Sequence, residues 1–413
     1  MKNKKILLGA VTVLLAAAVL LTGCSDEGPS SSSSGPASSS GSSQPSSSAS
    51  GKPASSGSDS DPSNQNKWRF SVSNNSATLL GCTDASYSGD LKIPEKTPEG
   101  VKVASIASGA FKNCHITSVT IPSTVTEIGA YAFANTDLKS LVLPKTVVRV
   151  GMGAFYNCRS LTSVVLNGNV NFDGSANKGV FAGCVNLTTV NIANGLTRLG
   201  DGMFANCKHL ETVTMPVSLT AIGDSTFAGC LSLKGIALPK ALTSIGKGAF
   251  ADCKALQKVY IPANVKYLSD STFLNCKALA AVELPDGLKT IGNAAFSGCI
   301  SLKTIALPDG LTDLGRSAFE DCIQLQKIAV PQGIKAIREN TFSGCETMKQ
   351  IYLSKNVVSI GNGAFRFNQP ITVYWAGSSA QEWKNGTRQI SKYGNNGIEN
   401  ATFVYNATPA SVK

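Results

Sequence analysis

Cysteine is the residue type whose spacing most invites chemistry in this sequence. Thiols can act as nucleophiles, hold metal ions or pair as disulfides. Of the 12 cysteines, Cys24 ends an apolar N-terminal segment and Cys82 stands by itself. The others lie three residues after a phenylalanine, mostly at steps of 23 residues, and form what we call the cysteine ladder. The ladder consists of Cys114, Cys158, Cys184, Cys207, Cys230, Cys253, Cys276, Cys299, Cys322 and Cys345.

The regularity of the ladder bears on its redox state. An even number of cysteines in an exported protein commonly indicates disulfides. Here each cysteine would have two equivalent neighbours, so we expect reduced thiols packed as small apolar groups. Bridges between adjacent turns are the alternative. We expect neither a metal nor another cofactor, because the sequence has no CxxC motif and only two histidines.

The other residue types in the sequence offer no clear catalytic group. A nucleophilic mechanism would need His115 or His209 as its base, and both lie near a ladder cysteine in a segment whose residue types vary between turns. Carboxylates such as Asp270 and Asp286 are isolated, and no phosphate-binding glycine motif is present. The sequence predicts a protein without enzymatic activity. A glycan-acting enzyme that pairs carboxylates from neighbouring turns is the weaker alternative.

The N-terminus has the organisation of an export signal. Three lysines precede an apolar run over residues 6–21, and Leu21-Thr22-Gly23-Cys24 follows. These four residues resemble the lipobox of bacterial lipoproteins. The resemblance implies removal of residues 1–23, a lipid on Cys24, and attachment to the bacterial membrane with exposure at the cell surface. A membrane-spanning anchor is the alternative, but the run is short for the roughly 20 residues that a span requires.

Residues 24–66 form a predicted disordered tether. Residues 25–66 contain 20 serines and 5 prolines and no aromatic residue, a composition that cannot offset the entropy of folding. The positive charge of the signal's lysines and the net negative charge of the tether cancel. Residues 67–413 therefore keep the formal charge of +11. Its basic residues form no run, so we expect no nucleic-acid partner.

Phenylalanine marks a repeat over most of the remaining chain. Successive phenylalanines are separated by 22, 22, 26 and then eight steps of 23 residues. Such a period is typical of leucine-rich repeats. We expect the phenylalanines and the cysteine ladder to form the structural core. The repeat phenylalanines are Phe111, Phe133, Phe155, Phe181, Phe204, Phe227, Phe250, Phe273, Phe296, Phe319, Phe342 and Phe365.

Within one repeat, alternating apolar residues end at a proline. Val259 and Ile261 precede Pro262 in this way, which predicts a short strand closed by a residue that cannot donate a ladder hydrogen bond. A repeat of this length cannot bury its own apolar face, whereas stacked repeats can. We therefore predict a β-rich leucine-rich repeat solenoid of about twelve coils. The capping segments are residues 67–100 and 369–413, and the solenoid spans residues 101–368.

The repeat pattern also carries a family resemblance. The consensus Ile-Gly-x-x-Ala-Phe-x-x-Cys-x-x-Leu-x-x-Val/Ile-x-Leu-Pro resembles the BspA-like, or Treponema-type, leucine-rich repeat family of bacterial surface proteins. The resemblance implies adhesion or interaction with a host or matrix. Asn167, Ala193 and Ser354 depart from it where proline is usual, and residues 168–178 lie in the lengthened step.

The outward side chains of the strands are the remaining candidates for a binding site. Most are small and polar, and the candidate anchors are Tyr260 with Lys258 and Tyr352 with Gln350. We expect these residues to contact an extracellular protein or glycan. A structural envelope spacer or a self-associating surface component is the alternative.

Overall fold

The computed structural model describes residues 67–83, 87–175, 178–385, 389–391 and 393–412. Cys24, the predicted signal and the predicted tether lie outside these residues. The described chain is a solenoid of about 13 turns of about 23 residues with almost no helix, so the predicted β-rich leucine-rich repeat solenoid is confirmed.

One side of the solenoid carries parallel strands of three to six residues, which we call the strand face. Each strand alternates between buried and outward side chains, since successive side chains point to opposite sides. The strands of this face are β3 (Ser88–Lys92), β5 (His115–Thr120), β7 (Ser140–Leu143), β9 (Ser163–Leu166), β11 (Thr189–Ile192), β13 (Thr212–Thr214), β16 (Lys258–Tyr260), β18 (Ala281–Glu283), β21 (Lys327–Ala329), β23 (Gln350–Leu353), β25 (Thr372–Trp375) and β27 (Thr402–Val404).

Two turns reduce their strand to a single bridge. Gly235 pairs with Lys258 and Thr304 pairs with Lys327, each in parallel orientation. The strand face is consequently divided into sheets of two to four strands. In each of these two turns only one residue pairs with the strand of the next turn.

The opposite side of each turn carries a shorter strand, usually of two residues. These strands also pair in parallel from turn to turn, after a starting hairpin of β1 (Trp68–Ser73) and β2 (Ser76–Cys82). The others are β4 (Val103–Ile106), β6 (Glu127–Ile128), β8 (Arg149–Val150), β10 (Asn171–Phe172), β12 (Arg198–Leu199), β14 (Ala221–Ile222), β15 (Ser244–Ile245), β17 (Tyr267–Leu268), β19 (Thr290–Ile291), β20 (Asp313–Leu314), β22 (Ala336–Ile337), β24 (Ser359–Ile360) and β26 (Gln389–Ile390).

The lengthened 26-residue step interrupts the pairing of these shorter strands. β10 pairs with β8, but among the described residues it makes no sheet with β12, where a new sheet begins. A shallow groove of about 340 Å³ opens at the interruption, with Asn171, Thr197 and Arg198 in its lining. The interruption is confined to the short strands, because β9 and β11 still pair across the same step and the N–H of Phe155 donates to the Val180 carbonyl oxygen at 2.9 Å.

Within the residues that the structure describes, helix occurs in the C-terminal closing segment alone. It consists of α1 (Ala380–Asn385), α2 (Asn396–Glu399) and a 3₁₀ helix at Pro409–Ser411. None of the helices that the structure describes is long and apolar enough to cross a membrane. Within the closing segment the Trp375 and Trp383 rings meet edge to face, with centroids 4.8 Å apart.

The twelve repeat phenylalanines form one continuous column inside the solenoid. Every one of them is fully buried. Neighbouring rings stack with centroids 5.2 to 5.7 Å apart and ring planes within 27° of each other. This column supplies the apolar contact between turns that a single repeat could not provide for itself.

The cysteine ladder runs beside the phenylalanines and is reduced. From Cys158 onward each thiol donates to the carbonyl oxygen of the phenylalanine one turn earlier, at sulfur–oxygen distances of 3.1 to 3.3 Å. Thr136, which replaces a cysteine, donates instead to Phe133 of its own turn at 2.9 Å. The thiols thus link successive turns by hydrogen bonds and not by disulfides.

Cys114 differs from the rest of the ladder and corrects its assignment to the core. It is only partly buried, and its sulfur lies 4.0 Å from the Lys112 carbonyl oxygen of its own turn. The reason is its position in the first phenylalanine turn. No phenylalanine turn precedes it to offer a carbonyl oxygen to its thiol.

Two left-handed backbone positions turn the chain on either side of most of the repeat phenylalanines. Around Phe296 these are Ala294, with φ of 51°, and Gly298, with φ of 73°. A Cβ atom at Gly298 would collide with the side-chain oxygen of Asn275 in the turn before. Glycine takes this conformation without strain, and asparagine or aspartate takes the same position in other turns, as Asn275 does with φ of 58°.

Candidate binding face

The alternation of β16 determines which side chains the strand face presents. Val259 points into the core and is fully buried, so its neighbours Lys258 and Tyr260 point outward. Tyr260 is 52% exposed. β18 pairs with β16 in a register that places Glu283 opposite Tyr260. The parallel pairing therefore assembles a basic, an aromatic and an acidic side chain on one patch.

These three side chains interact directly. The ammonium of Lys258 lies 4.2 Å from the centroid of the Tyr260 ring. The same ammonium is 3.2 Å from Oε1 of Glu283. The Tyr260 hydroxyl and then Glu283 raise the pKa of Lys258, because both stabilise its charged form. The cluster holds the tyrosine ring beside a fixed charge while one face stays open to solvent.

Tyr352 was predicted to be an outward anchor, and that prediction is wrong. Its side chain is only 2% exposed, and burial raises the pKa of its hydroxyl. Gln350 is half-buried and donates from Nε2 to the Tyr374 hydroxyl at 3.3 Å. Of the two predicted pairs, the structure leaves only Lys258 and Tyr260 available for contact.

Residues 405–412, which we call the C-terminal strap, explain this burial. The N–H of Ala407 donates to the carbonyl oxygen of Trp375 at 3.0 Å, at the end of β25. Val412 lies beside Ile328 and Gln332, at β21 and just beyond it. Since β23 lies between β25 and β21 in the sheet, we infer that the strap passes over β23 and covers Tyr352.

A groove of about 610 Å³ lies where the strap ends, and we call it the strap groove. Its floor is formed by the outward side of the turns that contain Ala306 and Ala329, and the strap residues Pro409 and Val412 form part of its wall. Alanine occupies the outward position that tyrosine takes at residues 260 and 352. These small side chains leave the space that the groove occupies.

The structure adds a pair that the sequence analysis did not assemble. Nδ1 of His115 lies 2.8 Å from Oδ2 of Asp137, one turn further along, and both side chains are exposed. Burial raises the pKa of the neighbouring Cys114 thiol, whereas an activated nucleophilic cysteine has a lowered one. The 22-residue step between these turns is the signal that could have placed the two residues together.

His209 is used differently. Its Nδ1 lies 2.8 Å from the carbonyl oxygen of Val185, in the preceding turn. Across the residues that the structure describes, no group of three His, Cys, Asp or Glu side chains is arranged to hold a metal ion.

The repeat agrees with a known family along most of its length. The model of the BspA-type leucine-rich repeat region, in six copies, matches residues 92–177, 174–286 and 266–387. The chain belongs to the BspA-type leucine-rich repeat family. The match begins in the predicted N-terminal cap and continues beyond residue 368 into the closing segment. Most of the strand face and the floor of the strap groove thus lie within the matched residues, whereas β27 and the strap lie beyond them.

Several solved structures of bacterial proteins are similar to this BspA-type chain. A leucine-rich cell surface protein of Faecalibacterium prausnitzii is 28% identical, with 79% of this chain and 97% of that one covered and a TM-score of 0.44. A leucine-rich repeat protein of Bacteroides ovatus is 23% identical, with 75% and 97% covered and a TM-score of 0.48. A leucine-rich repeat protein of T. pallidum is 20% identical, with 63% and 88% covered and a TM-score of 0.33. Among curated proteins the sequence has no significant match.

Proposed function

We propose that this BspA-type protein is a non-enzymatic surface lipoprotein whose solenoid binds an extracellular protein or glycan without chemical conversion. The observation that carries the proposal is the cluster of Lys258, Tyr260 and Glu283 on a strand face whose outward side chains are mostly small or polar. Aromatic side chains held at an open surface are favoured anchors of binding interfaces. The stacked turns form a long rigid surface of the kind on which repeat proteins bind large partners.

The proposal includes the way in which the solenoid is displayed. The lipobox ending at Cys24 supports attachment through a lipid on that residue. The tether would then separate the solenoid from the membrane by an r.m.s. distance of about 35–40 Å, from the scaling of flexible chains. Adhesion to a host or matrix would follow from this arrangement, because the strand face would be free to meet partners outside the cell.

The decisive experiment is capture of residues 67–413 on arrayed extracellular-matrix proteins, mucins and cell-wall glycans. Specific and saturable capture that survives raised salt supports recognition by the strand face. Capture that disappears with salt reflects the positive charge of the chain, because screening weakens exposed charges. Tyr260→Ala should weaken specific capture, while Tyr267→Ala, an equally exposed tyrosine on the other side of the turn, serves as the matched control.

Two results would contradict the proposal. Absence of any capture, together with concentration-dependent assembly of the protein alone, would indicate a structural or self-associating component. Turnover of a wall glycan that is lost in a carboxylate variant would indicate an enzyme.

A further inference from the structure

The way in which the strap is held suggests that it is a replaceable occupant of the strap groove. Its first residues are fastened by the backbone, since Asn406 donates to Gly377 at 2.8 Å and Ala407 donates to Trp375 at 3.0 Å. After Ala407 the strap bonds to itself. The N–H of Ser411 donates to the Thr408 carbonyl oxygen at 2.8 Å, and the N–H of Thr408 donates to Oγ of Ser411 at 3.1 Å.

Beyond Ala407 the strap meets the solenoid through apolar contact. Among the described residues, none of residues 408–412 forms a hydrogen bond with the solenoid. Pro409 and Ser411 are exposed, whereas Val412 is 8% exposed. The valine side chain is therefore the anchor of this end of the strap. An anchor without hydrogen bonds can be exchanged for another apolar side chain of similar shape.

The groove beside Val412 has room for more than the strap. Its volume of about 610 Å³ is lined by Ile305, Ile328 and Val330 as well as by strap residues. Lys327 and Asp309, which carry opposite charges, also line it. A surface of this kind suits an uncharged peptide whose apolar side chains enter the groove. The strap itself has that chemistry, because residues 405–412 carry no charged side chain.

We propose that the strap groove is a peptide-binding site closed in part by the protein's own strap. Its external partner is a polypeptide segment without charge that carries a branched apolar residue three positions after a proline, as Val412 follows Pro409. This inference rests on the proposed function, since it names polypeptide as the partner class and displacement of the strap as the control of binding. It places the partner on the C-terminal part of the strand face, beyond Tyr260.

A labelled synthetic peptide of residues 405–412 tests the inference on the purified full chain. Val412→Asp should release the end of the strap, because a carboxylate is costly to bury in an apolar groove. By fluorescence anisotropy, the peptide should bind the Val412→Asp protein at least tenfold more tightly than the wild-type protein, whose groove is already occupied. Val412→Ala should give an intermediate increase, and it provides a milder release of the strap.

Two controls identify the groove as the place of binding. Ala329→Arg added to Val412→Asp should abolish binding, because the arginine side chain fills the groove. The peptide of residues 51–57 contains Pro53-Ala54-Ser55, like the strap, but has serine where the strap has Val412. It should not bind either protein.

The inference is overturned if the peptide binds wild type and Val412→Asp equally, or binds neither while both proteins keep the same melting temperature. Binding that survives Ala329→Arg would also overturn it. Failure of the array experiment with successful peptide binding would reject the surface partner proposed above and leave the groove in place. Capture on the array without peptide binding would reject the groove alone.

Discussion

The thiol of Cys253 donates to the carbonyl oxygen of Phe227, one turn earlier, over a sulfur–oxygen distance of 3.2 Å. The same carbonyl oxygen accepts the backbone N–H of Cys230, in its own turn. One buried oxygen therefore joins two turns. This relationship explains why a small side chain with a hydrogen-bond donor stands three residues after each repeat phenylalanine. The donor that links two turns is buried, so it needs a hydrogen-bond acceptor inside the solenoid.

Alkylation of the native protein should distinguish Cys114 from the rest of the cysteine ladder. Iodoacetamide at about pH 8 should modify Cys114, which is partly exposed, and leave the buried ladder cysteines unmodified until the protein unfolds. Peptide mass mapping before and after denaturation measures this. Ladder cysteines that remain unreactive after unfolding without a reductant would show disulfides between adjacent turns and would contradict the reduced ladder.

Stability should fall in alkaline solution because of the same thiols. Burial raises the pKa of Cys253 and of Cys299 from 9.0 to about 12. The unfolded chain loses these protons first, so the stabilisation is complete below about pH 9 and is lost as the pH rises toward 12. Each thiol contributes a decrease of up to ~1.4 kcal/mol per pH unit in that window.

Urea unfolding at a series of pH values measures this effect. The double variant Cys253→Ala and Cys299→Ala should lose less stability per pH unit than wild type, while lysines and tyrosines titrate equally in both. An identical pH slope in the two proteins would show that these thiols do not contribute.

Truncation of a phenylalanine should damage the column locally. Phe250→Ala removes stacking with Phe227 and Phe273, each at 5.5 Å, and leaves a cavity, at a cost of about 3–5 kcal/mol. Hydrogen exchange should show the loss in the turns that adjoin residue 250, because each turn contacts only its neighbours. Phe250→Leu is the control and should cost less. A uniform loss of protection over the entire solenoid would contradict this picture.

The two tyrosines predicted to be binding anchors should behave in opposite ways. Tyr260→Ala should change the free energy of unfolding by no more than about 0.5 kcal/mol, as an exposed site does, while weakening capture of a surface partner about tenfold. Tyr352→Ala should cost on the order of 3 kcal/mol, since its ring is buried. Paired melting curves and capture assays measure both effects. Weakened capture without any loss of stability in Tyr352→Ala would contradict its structural role.

The repeat, the strands and most of the core could be predicted from the sequence alone. The spacing of Phe250 and Phe273, the alternation around Val259 and the recurring cysteines were sufficient, because each turn is stabilised by the turns next to it and repeats their pattern. The outward position of Lys258 and Tyr260 followed from the same local alternation.

Which outward residues remain accessible depends on where the C-terminal strap lies. Val412 and Ile328 line the same groove although they are far apart in the chain, and no periodic signal in the strap predicts where it docks. Tyr352 is therefore buried although its place in the repeat is equivalent to that of Tyr260. The contact of His115 with Asp137 was likewise decided by stacking, since two exposed side chains one turn apart leave no hydrophobic pattern in the sequence.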